Sequence, residues 1–255
     1  MANEVQFYLG TFLLDSTNNV AIDSVAFDIQ KSITEAALAK FHGSIIPIGK
    51  RKTMTIRVSG SVTGSNYDAL RTNLDSLKNA FDDTAEKKFT TDDDRQIFVQ
   101  YKSFGYSFKA IRTFATFSAQ LVASWPYHLS QTLQSDERVP TSGVTYAISN
   151  AGNAPAKAKI TITAPGGGVP ANDIIFNNTT LGTQFQYRSA LGASGVLIVN
   201  NDVDGAGLVV TEDGTSNFAD FEGDFMTLAS GSNSFKITSS TPGITVKIEW
   251  RDTYK

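Results

Sequence analysis

Two histidines, twenty-five carboxylates and no cysteine bound the chemistry open to this 255-residue chain. A nucleophile–base–carboxylate relay needs a histidine held between its partners. His42, in "FHGS", and His128, in "WPYHLS", carry no flanking motif of that kind and fall in different halves of the chain. They read as a loop residue and a solvent-facing linker residue. Thiol chemistry and disulfides are excluded by composition.

Carboxylates cluster at "FDDTAEKKF" and "TTDDDRQIF", residues 81 to 98. Two such groups held at a fixed separation could hydrolyse a glycoside. Both runs sit at a helix end and a turn, however, where aspartate is favoured because it caps and turns the backbone. Another acidic stretch comes close to a calcium loop. In "NNDVDGAGLVVTE", Asn200, Asp202, Asp204 and Gly205 take positions 1, 3, 5 and 6 of the EF-hand pattern, but Thr211 stands where the bidentate glutamate belongs. The flanking runs are strands, so an Asp-Gly hairpin accounts for the same residues. No metal or other cofactor is expected.

"APGGGVP" lacks the Lys-Ser/Thr of a phosphate cradle and precedes no helix, so it is a loop. The overlapping sequons from Asn177 to Thr180 mark a polar turn. "GKRK" at 49–52 is a loop leading into a strand, too small for a nucleic-acid patch on a chain of net charge −3. One group could still bind a ligand: Phe176, Phe185, Tyr187, Phe218, Phe221, Phe225 and Trp250 crowd the second half. Exposed aromatics stack sugars, whereas aromatics at strand spacing fill cores.

The elements that hold these residues are mostly strands. "KTMTIRVSGSV" alternates Met54, Ile56 and Val58 against polar neighbours, the period of a half-buried strand. "SNYDALRTNLDSLKNAF" switches to helical spacing through Tyr67, Leu70, Leu74, Leu77 and Phe81, with Ser65 and Asp68 as an expected capping box and Arg71–Asp75 as an i, i+4 pair. A single apolar stripe lays this helix on a sheet. "RQIFVQYKS" and "YSFKAIRTFATFSAQLVA" are expected as a short and a long strand joined around Gly105. The first half is therefore α+β, an antiparallel sheet with one packed helix.

Short strand candidates fill the second half, from "TYAISNAG" to "ITVKIEWRD", with turns such as Asp213-Gly214 and Pro242-Gly243 between them. That rhythm predicts an all-β sandwich. Composition changes with it: residues 136–255 hold 14 of the 20 glycines. The change falls near Trp125-Pro126-Tyr127, where proline pushes the preceding residue away from helix. The expected division is an α+β domain at 1–130, a linker at 131–143 and a β-sandwich at 144–255. Trp125 and Tyr127 form the candidate interdomain corner. No apolar run reaches membrane-spanning length and the N-terminus has no signal-peptide pattern, so synthesis in the cytoplasm without membrane insertion is expected.

In this order of elements the chain resembles the distal tail proteins of long non-contractile-tailed bacteriophages. The resemblance spans nearly the full length. It rests on "FHGSIIPIGKRKTMTIRVSGSV", the helix "NYDALRTNLDSLKNAF", "DDRQIFVQYKS" and "FSAQLVASWPYHLS", then "YAISNAGNAPAKAKITIT", "GVLIVNND", "DFMTLASGSNSFKIT" and "ITVKIEWRDTY". Trp125 stands where the family commonly has an aspartate before the proline. The resemblance implies a structural virion protein without catalysis, made in the host cytoplasm and placed at the phage tail tip. A hexameric ring of N-terminal domains would join the tail tube to the tail-tip hub or baseplate. A galectin-like C-terminal sandwich would face receptor-binding proteins or a host surface glycan. Phe41, His42, Ile45 and Ile46 are then candidate subunit-interface residues, and the acidic turns at 82–83 and 92–94 have a place near a DNA-conducting lumen. A major tail-tube protein with a decorating domain and a carbohydrate-binding module are the alternatives; open-ended polymerisation or sugar binding would distinguish them.

Overall fold

The computed structural model describes residues 7–31, 36–37, 44–45, 51–82, 85–90, 94–109, 112–205 and 207–255. The chain divides into two compact units, Met1–Pro126 and Tyr127–Lys255.

In the first unit the strands are β1 (Tyr8–Leu9), β2 (Phe12–Leu13), β3 (Val20–Lys31), β4 (Ala36–Ala37), β5 (Ser44–Ile45), β6 (Arg51–Thr63), β7 (Lys87–Thr90), β8 (Arg95–Phe108) and β9 (Phe114–Ala123). Helix α1 (Tyr67–Phe81) follows β6. The main sheet runs β2-β1-β7-β8-β9-β6-β3, and all its pairings are antiparallel. The alternation in β6 decides which face is buried. Met54, Ile56, Val58 and Val62 are buried, and they stand opposite Ala123, Leu121, Ala119 and Ala115 of β9. Mostly large residues on one strand facing alanines on the next leave room for a helix to lie close to the sheet.

That helix packs on β6, β8 and β9. Leu70, Leu74, Leu77 and Phe81 are buried beneath it, as their spacing predicts, while Tyr67 is exposed. Each buried side chain of this kind contributes about 2 kcal/mol. Its N-cap differs from the expected Ser65/Asp68 box. Asn66 takes the extended cap conformation, and its side-chain oxygen accepts the Ala69 N–H at 2.9 Å. Asparagine caps as well as serine does, and the residue directly before the first helical one holds the position. The connection after β8 also differs from the sequence reading. β8 continues through Gly105, which pairs with Ser118, and the chain turns later, where the Lys109 N–H donates to the Phe114 carbonyl. A glycine inside a strand is no turn when no positive φ is required of it.

The second unit contains β10 (His128–Ser130), β11 (Gln134–Arg138), β12 (Thr145–Asn150), β13 (Ala156–Thr163), β14 (Ile174–Asn178), β15 (Thr183–Tyr187), β16 (Val196–Asn201), β17 (Leu208–Glu212), β18 (Thr215–Ser216), β19 (Phe221–Gly223), β20 (Thr227–Leu228), β21 (Gly231–Thr238), β22 (Thr245–Trp250) and β23 (Thr253–Tyr254). One sheet runs β11-β22-β13-β16-β17-β18, with β20 beside β13; the other runs β12-β21-β14-β15-β19. A single core joins them: Ile160, Ile162, Leu197, Val246 and Ile248 on one side, Phe176, Phe185, Phe235 and Ile237 on the other. This is a β-sandwich. Residues 134–138, expected within a linker, form a strand instead and pair with Val246 through Trp250. Their polar composition suits an edge strand with one side open to water, which mimics a linker in sequence.

Four buried asparagines fix loops within this unit. Asn150 donates to the Ala154 and Ala229 carbonyls and accepts the N–H of Gly152. Asn233 accepts the Ala229 N–H at 2.7 Å and donates to the carbonyls of Ala229 and Gly231. Asn178 and Asn201 donate to Thr227 and Met226. Together they supplement the short β20 pairing and satisfy backbone groups of the 226–231 segment that the ladder leaves over.

Candidate functional site

The carboxylates of the calcium-like loop are occupied with internal partners. In the calcium-like loop, Asp202 pairs with Lys157, and Asp204 lies 3.1 Å from Arg251. The Asn200 side chain accepts the Val203 N–H, and the other Asp202 oxygen accepts the Gly207 N–H. These oxygens are spent on closing the hairpin and binding internal cations. Among the described residues, no group of three His, Cys, Asp or Glu side chains comes together to hold a metal. In the other acidic runs, the described aspartates are placed by local contacts. Asp82 caps the end of α1 through its backbone N–H, and Asp94 stands beside Arg95. Asp83, Asp92 and Asp93 lie outside the described residues.

His128 sits in β10 and pairs through its backbone with Tyr254. His42 lies outside the described residues, as do Phe41 and Ile46. Ile45 belongs to β5 and stands opposite Ala36. Trp125 and Tyr127 are both half-buried, and the division between the two units falls between Pro126 and Tyr127.

The aromatic group of the second unit resolves mostly inward. Phe176, Phe185 and Tyr187 are fully buried and Trp250 nearly so, while Phe221 and Phe225 pack against the same core. Phe218 alone of the seven is exposed, with its ring 6.0 Å from Phe225. A stacking platform needs several coplanar faces at the surface, and one exposed ring does not supply it. Tyr187 shows how its polar tip is accommodated. Its hydroxyl donates to Glu212 at 2.5 Å and accepts from Asn217 at 2.6 Å. Burial, then the bond to Glu212, push the phenol pKa up, so the group stays a neutral structural donor.

Two carboxylates in this unit have depressed pKa values, and both hold structure. Glu249 loses solvation by burial, yet Lys247 at 2.8 Å and Lys159 at 3.1 Å outweigh that loss and pull its pKa down. Asp173 is likewise penalised by burial. Hydrogen bonds from Ser239, Ser240 and Thr241 outweigh the penalty and hold it at about 2. It anchors the 239–241 turn, one wall of a groove of about 340 Å³ whose other walls include Val139, Pro140 and Ile237. These walls are aliphatic and hydroxyl, and the groove presents no charged side chain to a ligand.

The features left are surfaces, and the fold places them. No family model matches the sequence, and no curated protein sequence matches it significantly. The Dit protein of phage SPP1, a paradigm of the hub adsorption apparatus in phages infecting Gram-positive bacteria, aligns with 99% of this chain over 100% of its own length, with a TM-score of 0.71 and 12% identity. This chain has the fold of the SPP1 Dit hub protein. A chain of the phage P2 baseplate in its activated conformation with calcium aligns over 96% of this chain and 98% of its own, with a TM-score of 0.53 and 10% identity. The same baseplate activated with strontium gives 97% and 98% coverage at a TM-score of 0.53 and 11% identity. At such identities the likeness to Dit and to the baseplate chains is one of fold. It extends through both units, from sheet-plus-helix to sandwich.

Sequence reasoning missed the buried asparagines and Asp173. Asparagine and aspartate beside Gly, Ser and Thr read as turn residues, and only the packing around them shows which are buried.

Proposed function

We propose that this protein is a structural subunit of a bacteriophage tail hub, forming a hexameric ring that joins the tail tube to the tail tip or baseplate. The observation that carries this reading is the full-length likeness to the SPP1 Dit hub protein, which covers both chains almost completely. A two-unit match in the same order is more specific than either unit alone, because sheet-plus-helix and sandwich folds each serve many roles. Supporting it, the carboxylates of the calcium-like loop are engaged in internal ion pairs. The role is structural and not catalytic. The N-terminal unit, ending at Pro126, forms the ring. The unit from Tyr127 onward is a galectin-like sandwich directed at receptor-binding proteins or the host surface, and Trp125 and Tyr127 lie on either side of the division in the chain. The location is the virion tail tip, after synthesis in the host cytoplasm.

Native mass spectrometry of the full chain across a concentration series tests this. A discrete hexamer or double hexamer is the expected result. Open-ended polymers would point to a tail-tube subunit, and a monomer at every concentration would count against a ring.

A further inference from the structure

Arg251, directly after β22, reaches two distant stretches of the second unit at once. Its Nη1 donates to the Gln131 carbonyl and lies 3.5 Å from that of Ser130, while Nη2 lies 3.1 Å from Asp204 Oδ1. Ser130 and Gln131 are among the first residues of the unit, which begins at Tyr127. Asp204 belongs to the turn between β16 and β17. A guanidinium can serve both because its planar fork presents N–H groups in two fixed directions, which an ammonium on a flexible stem does not do. The Arg251 side chain is only 15% exposed and its Nε has no hydrogen-bond partner, so the hydrogen bonds at Nη1 and Nη2 are what position the group.

The two ends of this link are held by different contacts. The turn is closed by its own side chains and by Lys157: Asn200 accepts the Val203 N–H, and Asp202 accepts the Gly207 N–H and pairs with Lys157. Asp204 is therefore presented to Arg251 by a turn that other bonds already shape. At the opposite end, the Ser130 N–H donates to the Asp252 carbonyl at 2.8 Å, and Leu129 stands opposite Thr253. Asp252 and Thr253 are fixed in turn to the β12–β13 connection, where the Ala151 N–H donates to the Asp252 carboxylate and the Ala154 N–H to the Thr253 carbonyl, both at 2.9 Å. Asp204 is the solvent-facing end of this series of contacts, 45% exposed.

We infer that Arg251 couples the β16–β17 turn to the entry segment 128–131, so that a cationic group engaging Asp204 from outside competes with Arg251 and loosens the segment that opens the second unit. A mostly buried guanidinium deprived of one of its two partners must find another or draw in water, and either displaces it from the Ser130 and Gln131 carbonyls. Arg251 is thus a positioning residue, and the β16–β17 turn is the point at which its hold can be changed. The inference concerns the second unit alone and stands whether or not the chain forms a ring.

Native-state hydrogen exchange on the full chain tests it with two variants, Asp204→Asn and Arg251→Lys. The first keeps the size of the turn residue and removes its charge; the second keeps the cation and removes the fork. Exchange is read on the 128–133 segment, where the Ser130 N–H bonds to Asp252 and the Thr132 N–H to Ser130 Oγ, and for comparison on β13. In both variants the 128–133 amides are expected to exchange at least about tenfold faster than in wild type, with β13 unchanged. Acceleration in Arg251→Lys without any in Asp204→Asn would show that the guanidinium holds the entry segment independently of the turn, and overturns the coupling. No acceleration in Arg251→Lys overturns it as well. A rise of equal size in β13 would place the effect in the stability of the whole unit, with the same consequence.

Discussion

Gly60 of β6 lies opposite Phe117 of β9, and a methyl group on its Cα would stand 2.9 Å from the Phe117 ring and 2.2 Å from the Ala21 carbonyl oxygen. The absent side chain is what lets three strands come together under that ring. Phe117 stacks on Phe104 at 5.8 Å and approaches Phe81 at 6.4 Å, so the contact ties the sheet to the end of the helix. Gly60→Ala should therefore destabilise the first unit by about 3 kcal/mol, because the nearest obstacle is backbone and cannot rotate away. Chemical denaturation followed at the α1 helical signal measures it. A loss under about 0.5 kcal/mol would mean that the strands separate at little cost.

The buried asparagines make a second prediction. Asn150→Ala and Asn233→Ala each leave several backbone groups of the 150–154 and 226–231 segments without partners. Each should cost about 2–3 kcal/mol, more than a surface asparagine and comparable with a core aliphatic truncation. Replacing exposed Asn153, whose side chain accepts only the Lys255 N–H, by alanine under the same denaturation protocol provides the contrast. Equal effects at the three positions would remove the argument from burial.

Acid should reach the 239–241 turn through Asp173. Its folded pKa of about 2 lies below the ordinary 3.8, so the stabilisation is present in full above about pH 4 and is lost as pH falls toward 2. Asp173→Asn removes the charge the turn bonds to, so the variant should melt below wild type at pH 7 and approach it near pH 2. Thermal unfolding of both proteins between pH 2 and pH 7 checks this. A gap in melting temperature that stays constant across the range would show that the carboxylate's charge is not the stabilising feature.

Phe185 and Phe218 separate core from surface among the aromatics. Phe185, fully buried against Phe176 at 5.4 Å, should cost about 3–5 kcal/mol when truncated to alanine. Phe218→Ala should fall within about 0.5 kcal/mol of wild type. Glycan titration of the folded Phe218→Ala variant and wild type, followed by calorimetry, then reports on sugar binding separately from folding. A glycan that binds wild type and not the variant would bring the carbohydrate-binding alternative forward.

Local periodicity was sufficient for most of the elements. The two-residue alternation of Met54, Ile56 and Val58 specified both a strand and its buried face, and the three- and four-residue steps from Leu70 to Phe81 specified an amphipathic helix, because each pattern is set by backbone geometry within one segment. The lack of cysteine excluded thiol and disulfide chemistry without any fold. Where the reading went astray, the deciding contact was distant in sequence. Gly105 reads as a break until Ser118 pairs with it, and 134–138 reads as a linker until β22, more than a hundred residues later, supplies its partner. The inward turn of Phe176, Phe185 and Tyr187 also depends on two sheets meeting. Sequence determined the composition of each segment and the period of its burial. Tertiary structure alone decided which segments became neighbours, because strand pairing and sheet packing are contacts between residues that the chain itself keeps far apart.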